Sequence, residues 1–590
     1  MGGRKSAFKV TSWKQVQAHA AAVVLDGHPA PGTHALAALG SHGRHAQNLE
    51  RDGLRHFQRI STTCLRPYAC SVPYYEAGSE NIEYLDTFIV LPHEVFDTLL
   101  EEAPDRFVGY FGNEESRRAW WQSCREPWLD EHPLHSLLKS SKSSGFAPLA
   151  LHGDDIAMRR GLTPVNSMVM SLSSPLSCDR FDAILLLACV PLKRIVPGPD
   201  GSLEHIYRAL QWSFAALARG VYPCTDHTGA EFTSPHRRQK ADTPIGCRGV
   251  LVDFLGDWKF NKEALRLQQH YNKAWVCHEC WASKRPGPMN FANVQAGAFE
   301  ARPTRSHQDY IAHFDRAGER RPALAEIFGF HLGMVRVDFE HCDHLGVAQW
   351  LVAESMLLLC EIESAPGGKK EDRFNRLLRS LHEDFKDWCG GAQVSSSQPV
   401  FTYLKLVSDD FPGFKGKAHN TYLVGRWLCE EKADIIGARV PLLALCLKSW
   451  LSCQTVLKGA GEVLTGQEAD MLLNSAEAFL KAWTLLSIRA CEAKQKRFCL
   501  KPKHHAWHHG VRRAHKSWRN PRTHWLYRHE GFAGQIGRLA LRCHVTTASR
   551  RVIERWLLRW RGDEVRHMPG ARARKRNRPG RFARRVRARV

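Results

Sequence analysis

The chain has 590 residues, of which 43% are hydrophobic and 24% charged, with a formal net charge of +23 at pH 7. That is ordinary globular composition, with length for roughly three or four domains. The longest apolar runs, ILLLACV and VPLLALCL, fall far below the roughly 20 residues of a membrane-spanning helix, so no membrane is expected as a partner, while the excess of basic residues points to a polyanion such as nucleic acid. Eighteen cysteines without a secretory signal predict reduced thiols inside a cell. The start MGGRKS fits the loose myristoylation pattern through Gly2 and Ser6.

Residues 1–65, rich in Ala, His and Gly, form a poorly defined N-terminal region with one plausible helix, WKQVQAHAAAVVL. Residues 66–140 read as a mixed, mainly helical domain, with helices at PHEVFDTLLEEA and EESRRAWWQSCREPWL. The Lys/Ser/Gly stretch KSSKSSG then reads as a flexible connector. FAPLAL reads as a strand running into HGDD, VNSMVMSL as a second strand and FDAILLLACV as a third, buried one. In LEHIYRALQWSFAALARG the residues Ile206, Leu210, Phe214 and Leu217 fall at helical spacing, and Gly220 supplies the stop. GVLVDFL is the fourth strand and ends on Gly256-Asp257.

This β-β-β-α-β order is that of a ribonuclease H-like core, in which the first and fourth strands lie side by side. Asp154 and Asp257, about one hundred residues apart, should therefore meet. Asp155 is the alternative to Asp154 if the register differs by one, because successive side chains of a strand point to opposite faces; Asp154 is favoured. Asp253 shares the face of Asp257 and reads as a deeper ligand, a core salt-bridge partner or an edge charge.

Beyond residue 262 the pattern turns helical. ALAEIFGF, VAQWLVAESMLLLCEI, RFNRLLRSLHEDFKDW and ADMLLNSAEAFLKAWTLLSIRACEAK carry helical apolar spacing. At the entry stands WVCHECW, whose Cys277 and Cys280 supply half of a tetrahedral zinc site. KPKHHAWHHG holds His505 and His509 four apart on one helix face, where a second metal site is conceivable but no partner cysteine pair accompanies it; with Lys501 and Lys503 these side chains are rather expected to touch DNA phosphates or face solvent. Phe532, Ile536, Leu539 and Ala540 give one apolar face to a helix that begins at Glu530. In RRVIERWLLRW the residues Ile553, Trp556, Leu557 and Trp560 form a buried side, while Arg551, Arg555 and Arg559 form a basic stripe able to hold a nucleic-acid backbone. From Arg566 to Val590 the chain carries eleven Lys or Arg and no acid. That pattern reads as a disordered basic tail, 563–590, suited to nuclear import or phosphate binding.

LHGDD, GDWKFNKEAL followed by CHEC, DFEHCDHLGV and WLYRHEGFAGQIGRLA resemble, in the same order, blocks of eukaryotic DDE-type transposases, closest to the hAT and KDZ-like groups. The resemblance spans roughly residues 145–560. It implies an α/β protein with a ribonuclease H-like core built from 141–262 and 501–562, interrupted by a helical insertion over 263–500. It implies that Asp154, Asp257 and Glu530 hold two Mg²⁺ (or Mn²⁺) ions for phosphodiester hydrolysis and strand transfer on DNA. The family pattern Asp-x-x-His falls on Asp338 and His341, which makes His341 the expected third zinc ligand beside Cys277 and Cys280, with the fourth open. Trp258, next to Asp257, is a candidate for stacking on DNA or for plain packing. Transposon ends and target DNA as partners, a homo-oligomer, a nuclear location and no small-molecule substrate complete the implied picture. The family's last block often carries more acids than the single Glu530 here. The rival readings are a non-catalytic DNA-binding descendant and a zinc-stabilised nucleic-acid-binding scaffold.

Overall fold

A computed structural model describes residues 13–27, 32–41, 49, 52–53, 65–160, 163–177, 183–294, 297, 302–365, 367–407, 411–541, 543–544 and 547–567. The basic tail beyond 567 and the Gly2–Ser6 pattern lie outside the described residues. The fold is α/β: a mixed six-stranded sheet in the first half and a helical second half.

The strands are β1 (Tyr68–Tyr75), β2 (Ile82–Ile89), β3 (Phe146–Arg160), β4 (Thr163–Ser173), β5 (Leu185–Pro191) and β6 (Arg248–Gly256), in the sheet order β1-β2-β5-β4-β3-β6. All neighbours are antiparallel except β3 and β6, which are parallel. Every residue of β5 is buried, as expected of a central strand covered on both faces. The adjacency of β3 and β6 is the one read from the sequence.

The N-terminal part differs from the sequence reading in two places. The two named helices are present, but residues 68–89, within the stretch read as mixed, form the β1–β2 hairpin, whose strands were not placed from the sequence. Its strands were masked by Pro73 and by Glu83 and Asp86, but Pro is tolerated at a sheet edge, where β1 lies. KSSKSSG is not a flexible connector. Ser141–Gly145 is a 3₁₀ turn capped by the Ser140 side chain, which accepts from the Lys142 amide, and Ser143 is fully buried.

The helices used below are α1 (Trp13–Leu25), α2 (Pro92–Glu102), α3 (Glu114–Ser123), α4 (Ser202–Arg219), α5 (Trp258–Ala264), α6 (Ala348–Glu363), α7 (Lys370–Gly391), α8 (Pro441–Gly459), α9 (Gly466–Glu492), α10 (Pro502–Ser517), α11 (Tyr527–Ala540) and α12 (Ala548–His567). α4 packs on β1 and β6 through Ile206, Leu210, Phe214 and Leu217, all buried, and stops at Gly220 in the left-handed conformation. α11 lies against β3, and α12 against β2 and β5. The anticipated side Ile553, Trp556, Leu557 and Trp560 of α12 is buried.

There are two large hydrophobic cores. One surrounds the sheet; the other fills the helical half around Trp427, Trp450, Trp483 and Trp507, each buried to about 1% exposure or less. The anticipated helices of this half appear as α6, α7 and α9, whereas ALAEIFGF yields only a 3₁₀ turn, Ala323–Glu326. Phe339–Glu363 meets the length and hydropathy of a membrane span, yet two thirds of that window is buried in the protein.

The cores are tied together by buried charge. Asp253 on β6 accepts from Arg336 and, at 2.7 Å, from Arg519; Arg336 also meets Glu126 at 2.9 Å, and Arg513 meets Glu126 at 3.1 Å. Asp253, Glu126 and Arg336 are each at most 3% exposed. Among the readings of Asp253, the salt-bridge partner is the observed one.

Candidate functional site

Gly153 and Gly256 are paired in the parallel β3–β6 ladder, and an aspartate follows each of them. Neighbouring strands are about 4.8 Å apart, so Asp154, still within β3, and Asp257, just past the end of β6, stand side by side. A side chain at either glycine would collide with the ring of Phe260: an added Cβ would lie 1.9 Å from it at Gly153 and 2.5 Å at Gly256. The two glycines make room for that ring, which packs over the strand pair and seats α5. Asp257 caps α5 by accepting the Phe260 amide at 2.7 Å.

A one-residue irregularity sets which of Asp154 and Asp155 stands level with Asp257. Leu149 pairs with Leu251, but Ala150 pairs with Asp253, so β6 carries one extra residue there. Below that bulge Ala150 and Asp253, then His152 and Leu255, share a face, and the alternation carries Asp154 and Asp257 onto it too. Without the extra residue Asp257 would stand level with Asp155. Asp155 instead pairs with Lys259. β3 continues through Asp154 to Arg160, so this acid lies within a strand and not at its end.

Glu530 comes from the first turn of α11, which starts three residues earlier than anticipated, at Tyr527. Phe532, Ile536 and Ala540 are buried, with Leu539 partly so. The Asp154 carboxyl is pushed up to about 7, first by burial and then by the charges of Asp257 and Glu530. Glu530 is raised by burial, with Asp338 and Asp257 adding to the effect and His341 opposing it. The three acids therefore share one field.

The turn Phe339–Cys342 brings further groups to the same place. His341 Nε2 is 3.8 Å from Glu530 Oε1, and its Nδ1 contacts Asp338. Burial works to lower the His341 pKa, but the Asp338 contact and the Glu530 charge raise it to about 9. Glu340 is 1% exposed. Neither of its carboxylate oxygens forms a well-shaped hydrogen bond, although the Tyr527 amide approaches. Burial, then the charges of Glu530 and Asp338, lift its pKa to about 9.

Relative to the unfolded chain, a carboxyl raised in this way stabilises the fold fully only below its ordinary pKa near 4.5, and that support is lost as pH rises toward 9. In chelator-treated protein, Glu340→Gln is therefore expected to match wild type in melting temperature near pH 4.5 and to exceed it increasingly up to pH 9. Scanning calorimetry across that range checks the divergence.

A second group is fully buried. Cys277, Cys280, His505 and His509 place one ligand atom each within 4.8 Å of all the others, so this group can hold a metal ion. His505 Nε2 and His509 Nε2 lie 3.4 and 3.3 Å from Cys280 Sγ. The cysteines sit on a tight hairpin closed by Val276 N to Ala282 O, 3.0 Å, and the Glu279 amide donates to Cys277 Sγ at 3.3 Å. The hydrogen bond with Cys277 lowers the Cys280 thiol, while burial raises Cys277 well above the thiol range. Burial pushes His505 down to about 4, the neutral form a metal needs. Glu279 Oε2, 3.6 Å from His509 Nδ1, is placed to orient that ring.

This corrects the expected ligand set: His341 is engaged with Asp338 and Glu530, and the histidine pair from α10 takes its place. His504, His505, His508 and His509 are all buried and do not face solvent. The i, i+4 spacing was visible; the cysteines that complete it lie more than 220 residues away in sequence.

The remaining expected nucleic-acid contacts are dispersed. Lys503 is half-buried and donates to Leu345 O at 2.6 Å, and Lys501 lies over the Phe411 ring. Arg551 pairs with buried Glu554, and Arg555 donates to Leu539 O at the end of α11, so these two brace the helices; Arg559 is exposed. Trp258 is half-buried against the helical core. A cavity of about 450 Å³ is lined by Asp253, Leu255, Arg519, Arg522, Trp525 and His529, among others, and its wall includes none of Asp154, Asp257 and Glu530. No protein-family model and no curated protein matches the chain.

Proposed function

We propose that this protein is a DDE transposase-like polynucleotidyl transferase acting on DNA. The observation that carries the reading is the convergence of Asp154 and Asp257, from adjoining parallel strands, with Glu530 from the first turn of a helix packed on the same strand. The order β5-β4-β3-β6, with only the last pair parallel, supports a ribonuclease H-like core. On this reading the core comprises 141–262 and 501–562, with the helical residues 263–500 inserted.

Three oxygen-donor side chains, of which Asp154 and Glu530 are raised by burial and by the neighbouring charge of Asp257, suit a hard divalent cation such as Mg²⁺. Two such ions, when bound, activate the attacking oxygen and stabilise the leaving oxygen of a phosphodiester. Asp154, Asp257 and Glu530 would hold them. Asp155 stays with Lys259, outside the ligand set. His341, positively charged at neutral pH, balances Glu530 and offers a donor to a phosphate oxygen near it. Zn²⁺, favoured by two thiolates and two imidazoles, would sit at Cys277, Cys280, His505 and His509 in a structural role. DNA binding draws on the net charge of +23, and a nuclear location fits that substrate.

Nicking of supercoiled plasmid in Mg²⁺ or Mn²⁺ tests the assignment. Asp257→Asn and Asp154→Asn are expected to lower nicking at least a thousandfold with DNA binding retained, while Asp155→Asn keeps most of it. Nicking by Asp257→Asn at the wild-type rate would sink the mechanism. Wild-type protein that binds DNA but nicks in neither metal selects the non-catalytic descendant instead.

A further inference from the structure

Immediately beyond Asp257 the surface carries a ladder of three rings. Trp258 and Tyr271 have ring centroids 5.6 Å apart, and Tyr271 and His270 are 4.0 Å apart with planes 36° from parallel. His270 is buried beneath and Trp258 is half-buried, but Tyr271 is 42% exposed. Tyr84 and Phe328 are exposed as well, but Tyr271 differs in packing on Trp258, the neighbour of Asp257. This one is fixed in place: Lys273 N donates to His270 O at 2.8 Å and His270 N to Trp275 O at 3.1 Å, so Tyr271 sits at the tip of a closed turn.

The charges around the His270 ring are Lys262, Lys273 and Lys284, with Asp257 the acid among them. Lys273 and Lys284 are exposed, and Lys284 N is bonded to Ala274 O at 2.8 Å, which fixes its stem of the hairpin to the turn. The lysines, the exposed Tyr271 ring and Asp257 thus share one neighbourhood around His270. Duplex DNA offers such a surface only phosphates, because its bases are already stacked on one another. An unpaired strand offers phosphates to the lysines and a free base face to the tyrosine.

We propose that Trp258, Tyr271 and His270, flanked by Lys262, Lys273 and Lys284, form a stacking platform for an unpaired DNA strand beside the acid site. The proposal rests on the nucleic-acid reading above and adds the state of the strand that the site receives. Trp258 and His270 hold Tyr271 at a fixed tilt, and the lysines bring the backbone alongside.

The test measures binding of a labelled 15-nucleotide oligo-dT, and of a duplex of the same length, by fluorescence anisotropy, with the full-length protein. Tyr271→Ala is expected to weaken oligo-dT binding about tenfold, the worth of one base stack, and to change duplex binding less than about twofold. Tyr271→Phe should keep wild-type affinity, since the ring and not the hydroxyl does the work. Unchanged oligo-dT affinity in Tyr271→Ala, or an equal loss for both DNAs, overturns the platform. Asp257→Asn separates the two readings. If wild type never nicks DNA yet Tyr271→Ala selectively loses oligo-dT, the enzymatic reading falls and the platform stands. If Asp257→Asn stops nicking while Tyr271→Ala binds normally, the reverse holds.

Discussion

Purified protein is expected to carry one zinc ion per chain, which is lost from His505→Ala, His509→Ala and Cys280→Ser but kept by His341→Ala. The four-way contrast follows from the geometry: the two α10 histidines and the two hairpin thiols place their ligand atoms within 4.8 Å of one another, while His341 is bound up with Asp338 and Glu530. The energetic stake is high, because structural zinc contributes about 10–16 kcal/mol of apparent binding free energy in small zinc modules. Removal of the ion by a strong chelator should lower the unfolding midpoint in urea by far more than any surface substitution does. Elemental analysis and urea titration of the five proteins check this; zinc missing from His341→Ala and present in His505→Ala would reverse the assignment.

The second large effect concerns Asp253. Asp253→Asn leaves Arg336 and Arg519 facing a neutral amide at positions nearly closed to water. Removing one partner of a buried ion pair costs about 3–5 kcal/mol, because the charge left behind is uncompensated. Burial opposes the charged form of Asp253, but Arg336 and Arg519 hold its pKa far below the usual carboxylate range. Its contribution is therefore present above the unfolded carboxyl value of about 3.9 and declines only as pH falls below that. The variant should be destabilised by a near-constant amount from pH 5 to 8, with the gap narrowing in strong acid. The double variant Asp253→Leu/Arg336→Met removes one charge of each sign and should cost less than Asp253→Asn alone, a reversal that chemical denaturation can measure.

Much of the sheet was legible because strands β3 to β6 bury near-continuous apolar runs, and because Gly220 closes α4 with a recognisable stop. Asp257 stood out for the same reason, a carboxylate at the mouth of an apolar strand. The choice between Asp154 and Asp155 was not legible with certainty, since it depends on a bulge whose extra residue leaves no compositional mark. β1 went unseen because an edge strand tolerates Pro73, and β2 because Glu83 and Asp86 break its apolar pattern in the part that pairs with β1 alone. His505 and His509 were noticed and misassigned: spacing reveals which residues share a helix face, but not what faces them across 220 residues of chain. Glu340 gave no signal at all, because its unusual state comes first from burial and then from Glu530, brought in from another segment, with neighbouring Asp338 adding to it.

The Cys277–Cys280 hairpin lies 20 residues after Asp257, and His509 lies 21 residues before Glu530. A metal bound there fastens the two ends of a loop of more than 220 residues to each other. Closing so long a loop by chain diffusion costs conformational entropy that grows only as the logarithm of its length. Once the ends are fastened, the size of what lies between hardly matters to the distance between the acids. Segments of the helical half away from Arg336 and the Asp338–Cys342 turn, which reach the ion network and the acids, can thus vary in length while the neck holds Glu530 near the sheet.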